Sequence, residues 1–256
     1  EKGAVLEDDG TYTIQLSAYA TGTTTTVTQE SSVPLDIVLV LDQSGSMHDN
    51  GYVQPLKTAV TNFVNAVSAN GKKYEVDHRV ALVGYASRYD SNAKWTNTGL
   101  FINGSLYNYQ KEGSSTRTTR LTAQDYKNAL VSVNDENWKV SASITTAIDN
   151  ITSNGATYTN YGMEMANGVF SNNPIEEGSK RKRVVIVFTD GEPGRSSYEK
   201  TVANAALEEA YKTKNTYRAT VYTVGLYNSE VDEDVTFDEQ VYVNDCYRGK
   251  ITLTKS

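Results

Sequence analysis

The sequence predicts an α/β fold, a doubly wound, mainly parallel sheet flanked by helices. Three observations predict it. Short runs rich in Ile, Val, Leu and Ala recur at residues 37–41, 79–86 (RVALVGYA), 183–188 (RVVIVF) and 219–226 (ATVYTVGL), as expected of strands buried on both faces. Between them lie stretches whose apolar residues recur at helical spacing, and such alternation gives a parallel sheet with right-handed crossovers. Polar, glycine-containing segments follow two of the runs, at the carboxyl ends of strands where open α/β sheets place their ligands.

Taken in order, residues 1–33 read as an N-terminal β-extension, a hairpin packed beside the main domain. Residues 11–20 (TYTIQLSAYA) alternate apolar and polar, and 21–28 (TGTTTTVT) are Thr-rich and β-prone. The main domain spans 34–227. Its first strand lies in 34–47 (PLDIVLVLDQSGSM), bounded by Pro34 and by a Ser/Gly turn. Residues 54–67 form a helix through Leu56, Val60, Phe63, Val64 and Val67, with Pro55 in a first turn that tolerates it and Asn70-Gly71 closing it. A second strand at 79–86 precedes a third at 99–102 (GLFI), placed at the sheet edge.

Residues 103–140 exceed what a plain connection needs and read as an insertion, with a short helix over 122–130 and loops at 113–116 and 134–135. Ile144, Ile148 and Ile151 resume a helical pattern over 141–151. A polar loop, 154–160 (NGATYTN), leads into a helix over 161–170. The strand at 183–188 ends in Thr189-Asp190-Gly191. A helix over 197–214 follows, with Val202, Ala205, Ala206, Leu207 and Ala210 as its inner face, then the strand at 219–226. Residues 228–256 carry an acidic loop (Glu230, Asp232, Glu233, Asp234, Asp238, Glu239) and then alternate like β over 240–254, with no amphipathic helix visible.

Composition narrows the function classes. The 256-residue chain is 38% hydrophobic and 21% charged, ordinary for a globular protein. Its net charge of −7 argues against nucleic acid as a partner. No apolar run approaches the roughly 20 residues of a membrane span, and no leader is evident at Glu1. Cys246 is the only cysteine, so neither an intrachain disulfide nor a thiolate metal cluster can form. Eighteen Tyr against five Phe, with abundant Thr, Ser and Asn, suit an extracellular surface.

The chemistry-bearing segments are Asp42-x-Ser44-x-Ser46, Thr157 after Gly155-Ala156, and Asp190 before Gly191. The first places a carboxylate and two hydroxyls at alternate positions of one loop. All-oxygen ligands of that kind suit a hard cation, Mg²⁺, Mn²⁺ or Ca²⁺. On that loop alone, a Ser/Gly turn with Asp42 capping a helix is an equal reading. The three segments together supply two carboxylates and three hydroxyls, and a sheet that brings them to one edge builds a cation site with spare coordination.

This set resembles the von Willebrand factor A domain and its metal-ion-dependent adhesion site, through DIVLVLDQSGSM (36–47), GATYTNYGMEMA (155–166) and VVIVFTDGEP (184–193). The resemblance covers most of 36–226. It implies that the Ser44 and Ser46 hydroxyls bind a divalent cation, most readily Mg²⁺, with Thr157 binding directly or through water. It implies that Asp42 and Asp190 hold coordinated waters. An acidic side chain of a protein partner then completes the shell, giving metal-bridged adhesion rather than catalysis. The Thr-rich β-segment and the insertion are similar to those of Gram-positive surface and pilus-tip adhesins. That likeness implies an extracellular, cell-wall-anchored protein whose ligand is a host matrix protein or another surface subunit.

Other residues weigh less. His48 and His78 share no zinc-ligand spacing and read as loop and surface residues. Lys180-Arg181-Lys182-Arg183 reads as a solvated strand start. Asp49, Asn50 and Gly51 lie close enough to shape the site, and Glu192-Pro193-Gly194 either rims it or simply turns. Tyr158, Asn160 and Tyr161 either meet a partner or pack a helix N-terminus. A strand-terminal Asp also suits a Mg²⁺-dependent phosphotransferase, but the second Asp that chemistry wants is Ser44, and no GxSxG or glycine-rich phosphate loop occurs. The remaining alternative is an intracellular, metal-dependent assembly module of the same family.

Overall fold

The computed structural model describes residues 5–6, 12–13, 33–87, 97–109, 121–191, 193–195, 198–226, 235–236 and 252–253. Near the N-terminus, β1 (Val5–Leu6) pairs antiparallel with β2 (Tyr12–Thr13). The rest of the expected β-extension lies outside the described residues.

The expected first strand is β3 (Leu35–Asp42), and its alternation explains the two-faced core. Ile37, Leu39 and Leu41 face one layer; Val38 and Val40 face the other. After the one-turn α1 (Gly45–Asp49), α2 (Val53–Tyr74) covers the first face with Leu56, Val60 and Val64. Pro55 falls in its first turn, where an amide has no helical acceptor to lose. The helix does not close at Asn70-Gly71 as expected. It runs to Tyr74, and the left-handed cap is Glu75 (φ 53°). Gly71 is there for close approach: a Cβ would press on the Val76 carbonyl and the Asn134 amide.

Next, β4 (Arg79–Tyr85) pairs in parallel with β3. Then β5 (Gly99–Ile102) and β6 (Ser105–Asn108) form an antiparallel hairpin, so the sheet edge falls on β6 and not on residues 99–102 as expected. A capping box between Thr122 and Asp125 starts α3 (Ala123–Ala129). The chain returns as β7 (Val131–Ser132), which pairs antiparallel with β4. The described parts of 103–140 are thus built into the sheet and its cover.

The first face is completed by α4 (Ala142–Asp149) through Ile144, Ala147 and Ile148. Against the second lies α5 (Thr159–Asn172), through Met163, Met165, Ala166, Val169 and Phe170. On the other side of β3, β8 (Lys182–Thr189) pairs in parallel. Then α6 (Lys200–Asn215) packs beside α5 and leads to β9 (Ala219–Gly225), parallel to β8. Of the inner face expected for α6, Val202 is buried but Ala205, Ala206, Leu207 and Ala210 are half-buried; Ala203 and Thr213 are buried instead. The helix leans on α5, where the Thr213 hydroxyl donates to Asn167 Oδ1 at 2.7 Å.

The seven-stranded sheet therefore runs β6-β5-β4-β3-β8-β9, with β7 beside β4. Four strands are parallel and three antiparallel, the mixed form of the expected doubly wound class. Last, β10 (Val235–Thr236) pairs with β11 (Thr252–Leu253); most of 228–256 lies outside the described residues. No helix among the described residues is long and apolar enough to cross a membrane.

At the amino ends of the parallel strands the fold buries an ion network that sequence reasoning missed. Asp36 is fully buried and accepts from Arg79 Nε and Nη2, each at 2.7 Å, and from Arg181 Nη1 at 2.9 Å. Arg183 is also buried and donates to the Phe170 and Asn173 carbonyls. Two of the four residues expected to form a solvated basic cluster are structural. His78 is likewise buried, not a surface residue: Nδ1 accepts the Leu35 amide and Nε2 contacts Asn70 Oδ1.

Candidate metal centre

In the fold, the loop after β3, the residues before α5 and the end of β8 converge. β4 lies on one side of β3 and β8 on the other, so the chain leaves β3 at the point where the winding reverses and a crevice opens. Backbone hydrogen bonds tie the loops together. Gly45 N–H donates to the Gly155 carbonyl at 2.8 Å and Asn154 N–H to the Gln43 carbonyl at 2.9 Å. Thr157 and Gly194 exchange amide hydrogen bonds at 2.7 and 2.9 Å. Pro193 and Gly194 thus rim the site.

A chain of side-chain oxygens spans two of the three segments. Ser44 Oγ lies 2.9 Å from Ser46 Oγ, and the Ser46 hydroxyl donates to Asp190 Oδ1 at 2.9 Å. Asn50 Nδ2 reaches Asp190 Oδ2 at 3.4 Å, so the residues after the first loop do shape the site. Thr157 is buried and stands on the loop anchored to residues 43–45.

Asp42 sits beneath this surface. It is buried, and three donors hold it: the Ser44 amide at 2.9 Å, the Tyr85 hydroxyl at 3.1 Å and the Thr189 hydroxyl at 3.0 Å. Burial pushes its carboxyl up to about 6, against the lowering effect of the hydrogen bonds. Burial also raises the Asp190 carboxyl, while the bonds from Ser46 and Asn50 oppose that rise. Both carboxylates are being removed from water with no cationic side chain bonded to them among the described residues.

Several supporting residues gave no signal in the sequence. Tyr85, the largest fully buried side chain among the described residues, links Asp42 to the Phe188 carbonyl (3.2 Å). Gln43 is fully buried; its amide N–H₂ donates to the Asn97 carbonyl, and its Oε1 accepts the Thr152 amide. Ser87 Oγ accepts the Ala156 amide at 2.9 Å and steadies the Thr157 loop. Of the aromatic residues flanking Thr157, Tyr161 is buried between Tyr109 and Tyr158, so it packs rather than faces outward. His48 ends α1, and no group of three or more His, Cys, Asp or Glu assembles among the described residues. The site is hydroxyl-rich, and its donors suit a hard cation rather than zinc.

Sheet order and crevice define a doubly wound α/β domain, and the comparisons give its family. The von Willebrand factor type A domain profile matches residues 36–120 and 102–237, and the chain belongs to that family. Among curated proteins, none matches the chain. Among solved structures it is similar to the pilus adhesin SpaC of Lactobacillus rhamnosus GG in its open conformation, at 18% identity and a TM-score of 0.43, over 75% of this chain and 24% of that one. It is similar to the pilus adhesin RrgA of Streptococcus pneumoniae at 22% identity and a TM-score of 0.38, over 63% and 21%. The adhesive tip pilin GBS104 of Group B Streptococcus agalactiae matches at 22% identity and a TM-score of 0.37, over 63% and 29%. The chain spans less than a third of each of these proteins.

Proposed function

We propose that this domain is a cell-surface adhesion module whose Ser44, Ser46, Thr157, Asp42 and Asp190 hold a divalent cation, most readily Mg²⁺, with Mn²⁺ or Ca²⁺ as substitutes. The observation that carries the reading is the continuous set of oxygens from Ser44 through Ser46 to Asp190, with a buried, hydrogen-bonded Asp42 beneath it. The hydroxyls of Ser44 and Ser46 offer neutral oxygen, and the three donors on Asp42 keep its carboxylate oriented. Thr157, whose backbone is held by its exchange with Gly194, would offer a third hydroxyl. Bound there, the cation supplies a Lewis-acidic position that an Asp or Glu of a protein partner can fill. A site with so few anionic ligands of its own leaves that demand unmet until the partner arrives. The kind of partner is a host matrix protein or another surface subunit, and the compartment is the cell wall of a Gram-positive bacterium, where this domain forms part of a longer protein.

The test is thermal unfolding and calorimetric titration of metal-stripped protein with Mg²⁺ and Mn²⁺, beside a Ser44→Ala/Ser46→Ala variant. Cation at about a hundred times Kd stabilises the wild type by about 2.7 kcal/mol and leaves the variant unchanged. An equal stabilisation of both proteins would overturn the assignment of these hydroxyls. Binding of acidic-residue-containing ligands that is indifferent to EDTA would overturn the bridging role.

A further inference from the structure

At the end of the sheet opposite the oxygen cluster lies an open cleft of about 210 Å³, between the chain entering β4 and the turn after β7. That volume is below the roughly 300–1,000 Å³ of small-molecule pockets, and is on the scale of a single long side chain. Its walls include Asp77, Asn134, Asp135, Glu136 and Trp138, with His78 at its base.

Trp138 is one of three large hydrophobic side chains exposed among the described residues, and its backbone is left-handed (φ 58°). A bulky residue takes that conformation at a cost. The turn enforces it: Asp135 Oδ1 accepts the Asn137 and Lys139 amides at 2.8 and 2.9 Å, and the Trp138 amide donates to the Asp135 carbonyl at 3.0 Å. The indole is 37% exposed, so the turn holds it in place while part of its surface stays within reach of solvent.

The polar groups around it are almost all acceptors. Glu136 is exposed with no ion pair among the described residues, and Asp77 is half-exposed while bonded to Arg181 at 3.1 Å. Below them, the Asn134 amide N–H₂ donates to the Ser68 carbonyl, and its buried Oδ1 has no partner among the described residues. His78 offers nothing positive, because Nδ1 accepts the Leu35 amide, which leaves the ring proton on Nε2 facing Asn70 Oδ1. Arg181, already shared between Asp36 and Asp77, is the one cation ion-paired with the wall residues among the described residues.

We infer that this cleft receives a cationic side chain, the guanidinium or ammonium of an Arg or Lys on a partner protein, stacked on Trp138 and paired with Glu136. An indole face attracts a cation within about 6 Å of its centroid, and Arg and Lys side chains deliver such a charge on an apolar stem. The cleft gives the domain a second contact surface, at the other end of the sheet from the oxygen cluster and of opposite charge preference: basic groups here, acidic groups there.

The probes are N-acetyl-arginine methylamide and N-acetyl-lysine methylamide, with N-acetyl-norleucine methylamide as the neutral control. The readout is amide and indole ¹H–¹⁵N shifts of residues 134–139, recorded in EDTA so that the metal loops are silent. The cationic probes shift these resonances saturably, half-maximally at about 10 mM, as one exposed cation–π contact with a screened carboxylate allows, and the effect weakens with added NaCl. Glu136→Gln weakens the shift several-fold. Trp138→Gly abolishes it, and glycine tolerates the left-handed backbone; urea unfolding of the variant, read beside the unshifted amides of the rest of the sheet, separates loss of binding from loss of fold. Equal shifts from the norleucine probe, no shift from either cationic probe in buffer without added NaCl, or unchanged binding by Trp138→Gly would each overturn the inference.

Discussion

Replacing Gly155 by Ala tests whether the Thr157 loop and the Asp42 loop form one site. Gly155 has φ 101°, a region that costs an L-residue about 1–3 kcal/mol. Its new methyl would overlap the Ser87 Oγ, which holds the Ala156 amide. Moving Ser87 aside forfeits that bond, worth about 1 kcal/mol. The combined cost is about 2–4 kcal/mol, and the protein can relieve it by shifting the loop away from β4. Such a shift breaks the Gly45 amide bond to the Gly155 carbonyl and moves Thr157 relative to the loop after β3. If the strain is discharged that way, Mg²⁺ affinity falls by roughly thirty- to several-hundredfold, since every 1.4 kcal/mol is tenfold. Isothermal calorimetry reads the affinity, and urea unfolding in EDTA reads what remains as lost stability. Adding Ser87→Gly removes the overlap but not the left-handed φ, so the double variant recovers only part of the loss. Wild-type affinity together with wild-type stability in Gly155→Ala would refute the reasoning.

Two further outcomes follow from buried carboxylates. Asp36→Ala leaves Arg79 and Arg181, whose side chains are 27% and 15% exposed, without their shared partner. Partial exposure lets them rehydrate, so the cost falls at the lower end for a broken buried pair, about 3 kcal/mol, read by urea unfolding, with Mg²⁺ affinity unchanged. In cation-free protein the Asp42 carboxyl ionises near pH 6, above its unfolded value, so the folded state binds the extra proton between about pH 4 and 6. Acidification through that window therefore stabilises the cation-free wild type relative to Asp42→Asn, and stability falls as pH rises through 6; a flat difference between the two proteins would contradict the burial effect.

The elements legible in the sequence were those whose evidence is local. The β3 and β8 runs each show their nature within a dozen residues, and the structure brings Ser46 of the loop after β3 against Asp190 after β8. What stayed hidden depends on partners far apart in the chain. Nothing near Asp36 announces that Arg79 and Arg181, 43 and 145 residues away, will neutralise it. His78 looked like a surface residue because its two partners, the Leu35 amide and Asn70, come from other elements. Gln43 lies inside the motif yet carries no spacing signal, since it braces Asn97 and Thr152 rather than facing the crevice. Gly71 misled for a different reason: a glycine after Asn reads as a helix stop, but here it serves close packing inside α2.

The two ends of β3 make the strongest physical case for a cation at one of them. Asp36 and Asp42 lie on the same strand, six residues apart, and both are buried to within 1%. Desolvation penalises each carboxylate, and an unpaired buried charge is too costly to keep. At Asp36 the chain supplies the compensation itself, in two guanidinium groups at 2.7 and 2.9 Å. At Asp42 it supplies only neutral donors, Ser44 N–H, Tyr85 O–H and Thr189 O–H, and adds the repulsion of Asp190. A fold that can place arginines on one end of a strand and places hydroxyls on the other has left the second charge to be met from outside. A proton meets it in the cation-free protein, which is why the carboxyl rises; a divalent cation seated on the hydroxyls of Ser44 and Ser46 would meet the Asp42 and Asp190 charges together.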